Sequence, residues 1–418
     1  MSSPVSSSAP FRIRDLFTPA VIVASLGYFV DIFDLLLFSI VRKPSLAALG
    51  LDEAAQIETG LMLHNLQMIG MLIGGVAWGI LGDKRGRLSV LFGSIILYSI
   101  GNLANAFVWD VPSYAICRLL AGIGLAGELG AGITLVAETL PKHLRGYGTM
   151  IVATVGVSGA VFAGVLSEFF DWRVTYGIGG LLGFALLLLR INTAESLLFK
   201  HTEESSVTRG DFLSLFTRYS RFRKFMLCIL SGVPIWFVIG TLIQLAPEFA
   251  KAMGITDPIT AGRAVLFSYA GLVFGDFGSG LLSQLLRNRL KVVLSFILGV
   301  GFTTAYYFSL GSETSSSAFY LVCFTLGFFA GYWALFVTLS AEQFGTNLRA
   351  TVATSSPNFV RASVVPMSLS FTALKDSFGM IQSAQIVGAM VIVIALLSTL
   401  MLKDTFGVDL NYLEDEST

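Results

Sequence analysis

Asp31, Asp34, Arg118, Glu128 and Arg361 each interrupt a long apolar run. An ionised group in a lipid interior costs about 2.5–3.5 kcal/mol on insertion scales, so each must meet a partner or a water-filled cavity. Asp31 and Asp34 are three residues apart, about 60° around a helix axis, and can face one cavity together. Arg118 lies at a depth similar to that of Asp34. A carboxylate beside a guanidinium is held ionised, and without that influence burial favours the neutral acid. The pair is therefore either a proton-binding switch worked by a moving helix or a static ion pair. Asp31 either joins that cavity or stands near the outer vestibule. Glu128, ten residues beyond Arg118, is deeper and handles protons or solute, or else packs against a neighbouring helix. Arg361 is the mid-membrane cation of the second half. With Asn358 one turn earlier it either binds a carboxylate bidentately or pairs with Asp276.

The elements that must hold these groups follow from composition. Apolar residues make up 54% of the 418 and charged residues 13%, with mean hydropathy +0.76. A soluble domain carries about 25% charged residues, so this chain cannot cover a water-facing surface of its own size. No basic tract points to nucleic acid. Cys117, Cys228 and Cys323 have neither metal nor disulfide spacing and read as packing residues. The opening Met1 to Pro10 lacks a charged segment feeding a short apolar core, so it does not read as a cleaved signal. Runs near the 20 residues that cross a bilayer predict spans at 18–41, 59–81, 88–108, 112–137, 147–169, 173–191, 225–247, 262–286, 292–311, 317–340, 350–374 and 380–402. The predicted class is thus an all-α membrane protein of twelve helices. Residues 1–191 form one six-helix bundle, 192–224 a cytoplasmic linker and 225–418 a second bundle.

With both termini placed in the cytoplasm, nineteen of the 27 Lys and Arg fall on that side and six outside, Arg42 and Lys251 among the six. This is the positive-inside bias. Two landmarks repeat at an offset of 204 residues. Ala137-Glu138 to Arg145 becomes Ala341-Glu342 to Arg349, and the charged stretch 83–87 falls on 287–291. Gly74 falls on Gly278 under the same shift. A duplicated six-helix unit is what alternating access between two halves requires.

Gly82-Asp83-Lys84-Arg85-Gly86-Arg87 reads as a tight charged loop between the second and third spans. It resembles the loop signature of the major facilitator superfamily, where it implies a conformational latch; the plainer alternative is an anchor on the cytoplasmic face. Arg118 with Gly122 and Gly124, then Glu138 and Pro141 to Arg145-Gly146, resembles the fourth-helix pattern of sugar porters and their organic-ion and metabolite-symporter relatives. Ala194-Glu195-Ser196 and Asp404-Thr405-Phe406-Gly407 resemble two further motifs of that branch, both without their prolines. The resemblance implies the twelve-helix fold and a gating set of Gly82, Asp83, Arg85, Gly86, Arg87, Glu138, Arg145, Glu342 and Arg349. It implies proton coupling by Asp34 with Arg118 and Glu128. Asp31 is similar to the second aspartate of aromatic-acid and sialate symporters. Trp236, Gln244, Tyr332 and Trp333 fall on helices that line the cavity in this family, though each also reads as a packing residue. With Asp31, Asn358 and Arg361 they make the candidate solute-binding set. His64 and Gln67 form only a weak polar face.

The fifth span lacks the Gly-Pro pair of drug–proton antiporters, and the seventh lacks the paired glutamines through which sugar porters hold hexoses. Nothing resembles a nucleotide-binding loop, and three scattered histidines offer no catalytic pair. The chain is therefore expected to be no enzyme and to use no cofactor or metal. The expectation is a proton-coupled symporter that imports a small polar metabolite, an organic anion above all. Its partners are solute, protons and the lipid bilayer, with no nucleic acid. It is expected to act as a monomer in the plasma membrane, a bacterial inner membrane, with both termini cytoplasmic. The alternatives are a facilitator or exporter built on the same charges, or a transporter-like sensor.

Overall fold

Thr18 opens the first helix. Its hydroxyl accepts from the Val21 amide at 3.3 Å, and Pro19 takes the first helical position, where its missing N–H would have no partner anyway. In a computed structural model of the protein, which describes residues 18–85, 87–127, 140, 145–198 and 212–407, helices follow one another through the chain. They are α1 (Pro19–Ala48), α2 (Glu53–Arg85), α3 (Arg87–Asn105), α4 (Val111–Leu125), α5 (Arg145–Phe169), α6 (Trp172–Leu198) and a short α7 (Ser214–Thr217). Then come α8 (Tyr219–Phe237), a π-helical turn (Val238–Ile243), α9 (Ala246–Ala252), α10 (Ala261–Leu286), α11 (Arg289–Tyr307), α12 (Ser316–Ala330), α13 (Trp333–Glu342), α14 (Thr346–Ala362) and α15 (Val364–Leu400).

Nine stretches of described helix are long and apolar enough to cross a membrane. The last runs from Thr351 to Leu400 and breaks at Gly379, whose φ of 75° lies in the left-handed region open to glycine. Counting it as two crossings and adding α3 and α4 makes twelve. Large apolar side chains face outward, among them Ile116, Phe274 and Phe302 at 61%, 61% and 76% exposure. Such a surface is suited to lipid rather than water.

Close helix contacts rest on small residues. A Cβ at Gly70 or Gly74 would lie 2.4 or 2.3 Å from a carbonyl oxygen of α4, and one at Gly271 or Gly275 would lie 2.0 Å from a carbonyl oxygen of α12. By packing, then, the counterpart of Gly74 is Gly275. Gly278, which the 204-residue offset selects, meets only the ring of Phe328 at 3.7 Å. Loops of unequal length in the two halves shift the register. The three cysteines are free, and Cys228 and Cys323 are buried.

Three crossings are broken near mid-length. Pro234 sits inside α8, and four residues on the helix widens into the π-turn. The tenth crossing breaks at Gly331–Tyr332 between α12 and α13. The eleventh breaks after Ala362, because Pro366 has no N–H to give that carbonyl.

Two expectations are corrected here. Helix α1 spans 30 residues, about 45 Å at 1.5 Å per residue, and carries Arg42 within it rather than in an outer loop. Helix α2 continues through Arg85 and α3 starts at Arg87, so residues 82–85 are helical rather than a loop. Gly86, Glu128 and Glu138 lie outside the described residues altogether, as do the side chains of Asp83, Arg85, Arg87 and Arg145 and the surroundings of Gly82.

Candidate functional site

The broken crossings converge on a cavity. Tyr28 and Ile32, one turn apart on α1, face Ile235, Trp236 and Ile239 of the seventh crossing, Tyr269 and Leu272 of α10, Trp333 at the head of α13 and Val157 of α5. Arg361, in the last turn of α14, is the charged member of this lining. In this conformation the cavity leaves only about 20 Å³ open to the centre of a water-sized sphere, about the room one water needs, so it is closed around its lining rather than opened for a solute.

Arg361 is 1% exposed. Its Nη1 donates to Asn358 Oδ1 at 3.4 Å, and Nη2 stands 3.9 Å from Asp31 Oδ2, within Coulomb range but beyond hydrogen-bond length. Its Cζ lies 5.6 Å from the centre of the Trp333 ring, inside cation–π range. Its Nε has no hydrogen-bond acceptor among the described residues. The site thus offers a buried cation with donor capacity left over, between flat aromatic walls. Once the cavity opens, such an arrangement can hold a carboxylate whose apolar body lies against Trp236, Trp333, Tyr28 or Tyr269.

Trp333 is presented by the break in the tenth crossing. The N-terminus of α13 has no cap from its own chain neighbours; Asp276 Oδ1 on α10 accepts from the Ala334 amide at 3.1 Å instead. Of the two partners open to Arg361, solute or Asp276, Asp276 is thereby occupied elsewhere. The residue that faces Arg361 is Asp31, across the interface between the two halves of the chain.

A second buried cluster lies within the first half. Arg118 donates through Nη2 to Gln67 Oε1 in close contact and through Nη1 to Tyr176 Oη at 3.4 Å, and its Cζ lies 4.7 Å from the centre of the Phe38 ring. Tyr176 and Tyr114 share a hydrogen bond of 2.8 Å, and Tyr114 donates to Ser45 Oγ at 3.2 Å. No hydrogen bond joins Arg118 to Asp34 in this conformation. Neither carboxyl oxygen of Asp34 has a hydrogen-bond donor among the described residues. Asp34 is fully buried and abuts Gly179, where a Cβ would lie 2.5 Å from its Oδ1. Gln67, which its position alone marked as a weak polar residue, is the anchor of Arg118.

The remaining sequence candidates disperse. Gln244 is buried at one end of the seventh crossing, away from the cavity lining, and its carbonyl accepts from Arg42 Nη2 at 3.2 Å. Tyr332 is also outside the lining and donates to the Ser231 carbonyl at 2.9 Å, which ties α13 to α8. Asn358 orients Arg361 and reaches the Ala126 carbonyl at 3.4 Å. Glu342 receives Arg289, Nε to Oε2 at 2.7 Å and Nη2 to Oε1 at 2.8 Å, while Arg349 donates to the Phe344 carbonyl at 3.3 Å. Asp404 Oδ1 caps α11 through the amides of Arg289 and Leu290, and Thr405 donates to Glu342 Oε2 at 2.6 Å.

At the end opposite this basic rim, three ion pairs join the two halves of the chain. Arg42 and Glu248 meet at 2.5 Å with side chains 0% and 7% exposed. Lys251 pairs with Glu53, and Arg263 with Glu168 at 2.8 Å, both more exposed. The burial of Arg42 and its partner 206 residues away are long-range facts that local sequence does not carry.

The Major Facilitator Superfamily profile matches residues 24–356. The chain belongs to that superfamily. It is a multi-pass membrane transporter of the all-α, twelve-helix facilitator fold, and not an enzyme. It is 28% identical to a putative metabolite transport protein of Haemophilus influenzae, over 92% of this chain and 95% of that one. It is 26% identical to the putative niacin/nicotinamide transporter NiaP of Bacillus subtilis, over 81% and 84% of the two chains. It is also 26% identical to the 3-(3-hydroxy-phenyl)propionate transporter of Escherichia coli, over 74% and 76%. The crystal structure of a D-xylose-proton symporter superposes with a TM-score of 0.69 over 93% of this chain and 99% of that one, at 16% identity. That last likeness speaks for the fold alone.

Proposed function

We propose that the protein is a proton-coupled symporter that imports a small organic anion, a carboxylate on a flat apolar body, by alternating access. The observation that carries this reading is Arg361: a buried guanidinium whose Nε has no acceptor among the described residues, lining a central cavity walled by Tyr28, Trp236, Tyr269 and Trp333. Relatives named for niacin and 3-(3-hydroxy-phenyl)propionate support it, since both compounds join an aromatic ring to a carboxylate.

Asp34 carries the proton in this scheme. A buried carboxyl with no donor to either oxygen, beside an Arg118 already engaged by Gln67 and Tyr176, is suited to the protonated form. When Arg118 swings back towards it, the ionised form is favoured and the proton leaves. Residues 1–191 and 225–418 rock against each other about the cavity. Gly82 to Arg87, Glu138 and Arg145 with Glu342 and Arg349 latch the cytoplasmic rim. The Arg42–Glu248 end faces outward, so the conformation described is closed to the outside. The chain works as a monomer in the plasma membrane, with cytoplasmic termini.

The test uses purified protein in liposomes with an imposed pH gradient and radiolabelled nicotinate, benzoate and phenylpropionate. Asp34→Asn should abolish gradient-driven accumulation while solute exchange persists. Accumulation by the variant at the wild-type level refutes the proton assignment. Uptake that ignores the gradient in the wild type selects a facilitator instead.

A further inference from the structure

Asp31 and Arg361 sit in different halves of the chain, on α1 and α14, and each is at most 1% exposed. Their nearest atoms are 3.9 Å apart, close enough for charge neutralisation without a hydrogen bond between them. Arg361 belongs to the cavity lining, whereas Asp31, between the lining residues Tyr28 and Ile32 in the same helix, is not part of it. A solute carboxylate entering the cavity therefore meets a guanidinium that already has a counter-ion.

We propose that Asp31 is the resident counter-ion of Arg361 and that the solute carboxylate displaces it, with Asp31 taking up a proton as it is displaced. The proposal rests on the organic-anion reading above. The exchange balances: the ion pair of Asp31 and Arg361, a solute carboxylate and one proton from water give a solute–Arg361 ion pair and a neutral Asp31 carboxylic acid. Leaving both carboxylates ionised would place two negative charges on one guanidinium in a dry cavity, where an uncompensated buried charge is strongly unfavourable. Arg361 is the only cation among the described residues that line the cavity. Facing Asp31 are Tyr28 and, one turn on, Asp34 on its own helix. Tyr269 faces it from α10, with Asp276 beyond it engaged in capping α13. From α14 comes Arg361 itself, and the other residues lining the neighbouring cavity, Trp333 of α13 and Val157 of α5 among them, are uncharged. Further negative charge near the pair strengthens the case for proton uptake.

This makes Asp31 a second proton site, distinct from Asp34. With both in use, two protons accompany each monocarboxylate and one net positive charge moves inward. Asp31 then couples binding to protonation because solute and counter-ion compete for one guanidinium, whereas Asp34 couples through movement of a helix.

The experiment is calorimetric titration of the full-length protein in detergent with benzoate at pH 6 and pH 8, in buffers of different ionisation enthalpy. Wild-type binding should weaken by up to about tenfold per pH unit as Asp31 becomes ionised, and about one proton should be taken up per benzoate. In Asp31→Asn, which imitates the neutral acid, binding should be equal at the two pH values and the uptake should vanish. An Asp31→Asn variant with the wild-type pH dependence overturns the proposal, as does one that loses benzoate at both pH values, since Asp31 would then be a direct solute contact. Absence of benzoate binding to the wild type overturns the organic-anion reading and this inference with it. Binding with no proton uptake overturns this inference alone. Infrared difference spectra keep the question decidable if Asp31→Asn does not fold: a protonated-carboxyl band should appear on adding benzoate to Asp34→Asn, and its absence there overturns the assignment to Asp31.

Discussion

Arg118 and Arg361 are both buried guanidiniums, one in each half of the chain, and their surroundings differ in kind. Arg118 is fixed by Gln67 and Tyr176 of its own half and rests on Phe38. Arg361 has one long bond to Asn358 and a carboxylate at 3.9 Å from the other half, and the Nε of each arginine has no acceptor among the described residues. A cation whose Nη groups are both held by its own half serves as a fixed charge against which a neighbour titrates. One held only loosely beside a cavity serves as a receptor. The difference lies in the ligands, since residue type and burial are the same.

The largest effect that would break this comparison is on binding. Arg361→Gln should weaken benzoate binding by on the order of 100-fold, the scale of two lost charge-assisted bonds. Arg118→Gln should change binding much less while abolishing proton-driven accumulation. Equal losses of binding in both variants would erase the distinction between receptor and fixed charge.

A second contrast concerns the ion pairs that join the halves. Removing the Glu248 side chain with Glu248→Ala leaves Arg42 buried and unpaired, at a cost of about 3–5 kcal/mol. The outward-closed state should lose population, read as faster hydrogen exchange in α9 and the first turns of α2. Lys251→Ala, at a pair 70% exposed on both sides, should leave exchange rates unchanged. Comparable changes in both would mean that the gate is held by summed surface charge.

The smallest effect is a control at a site far from both arginines. Asp110 caps α4: its carboxylate accepts from the Ser113 amide at 2.9 Å while the Ser113 hydroxyl donates to the Asp110 carbonyl at 3.0 Å, and hydrogen bonding by Ser113 holds the Asp110 carboxyl below its ordinary range. A depressed pKa contributes stability above the unfolded value that is lost as pH falls through the folded one. Asp110→Ala should therefore melt slightly below wild type at neutral pH, and the two should converge as pH drops below about 4. Persistence of the difference at a pH well below the folded value would argue for packing rather than capping.

What the sequence could convey divides by range. Crossings and buried charges were legible because apolar run length and charge are local properties, and Asp31, Asp34, Arg118 and Arg361 all lie inside helices in the structure. The pairing was not legible. Asp34 and Arg118 sit at similar depths, yet Gln67 and Tyr176, on two other helices, take the guanidinium's donors first. Arg42-Lys43-Pro44 looks like a helix end, but Pro44 lies within α1 and the partner Glu248 is half a chain away. Tyr28 and Tyr269, absent from the sequence candidates, became cavity walls, because which face of an apolar helix looks inward depends on its neighbours. Gln244 and Tyr332 were on suitable helices but point elsewhere.

Asp404 and Thr405, fastened to α11 and to Glu342, give the end of the last crossing a fixed seat on the basic rim. A fluorophore attached just behind Gly407 would accordingly ride with that rim as one body. Paired with a second dye on the first half, it would turn each transport cycle into a change in energy transfer, a clock for turnover that needs no knowledge of the solute.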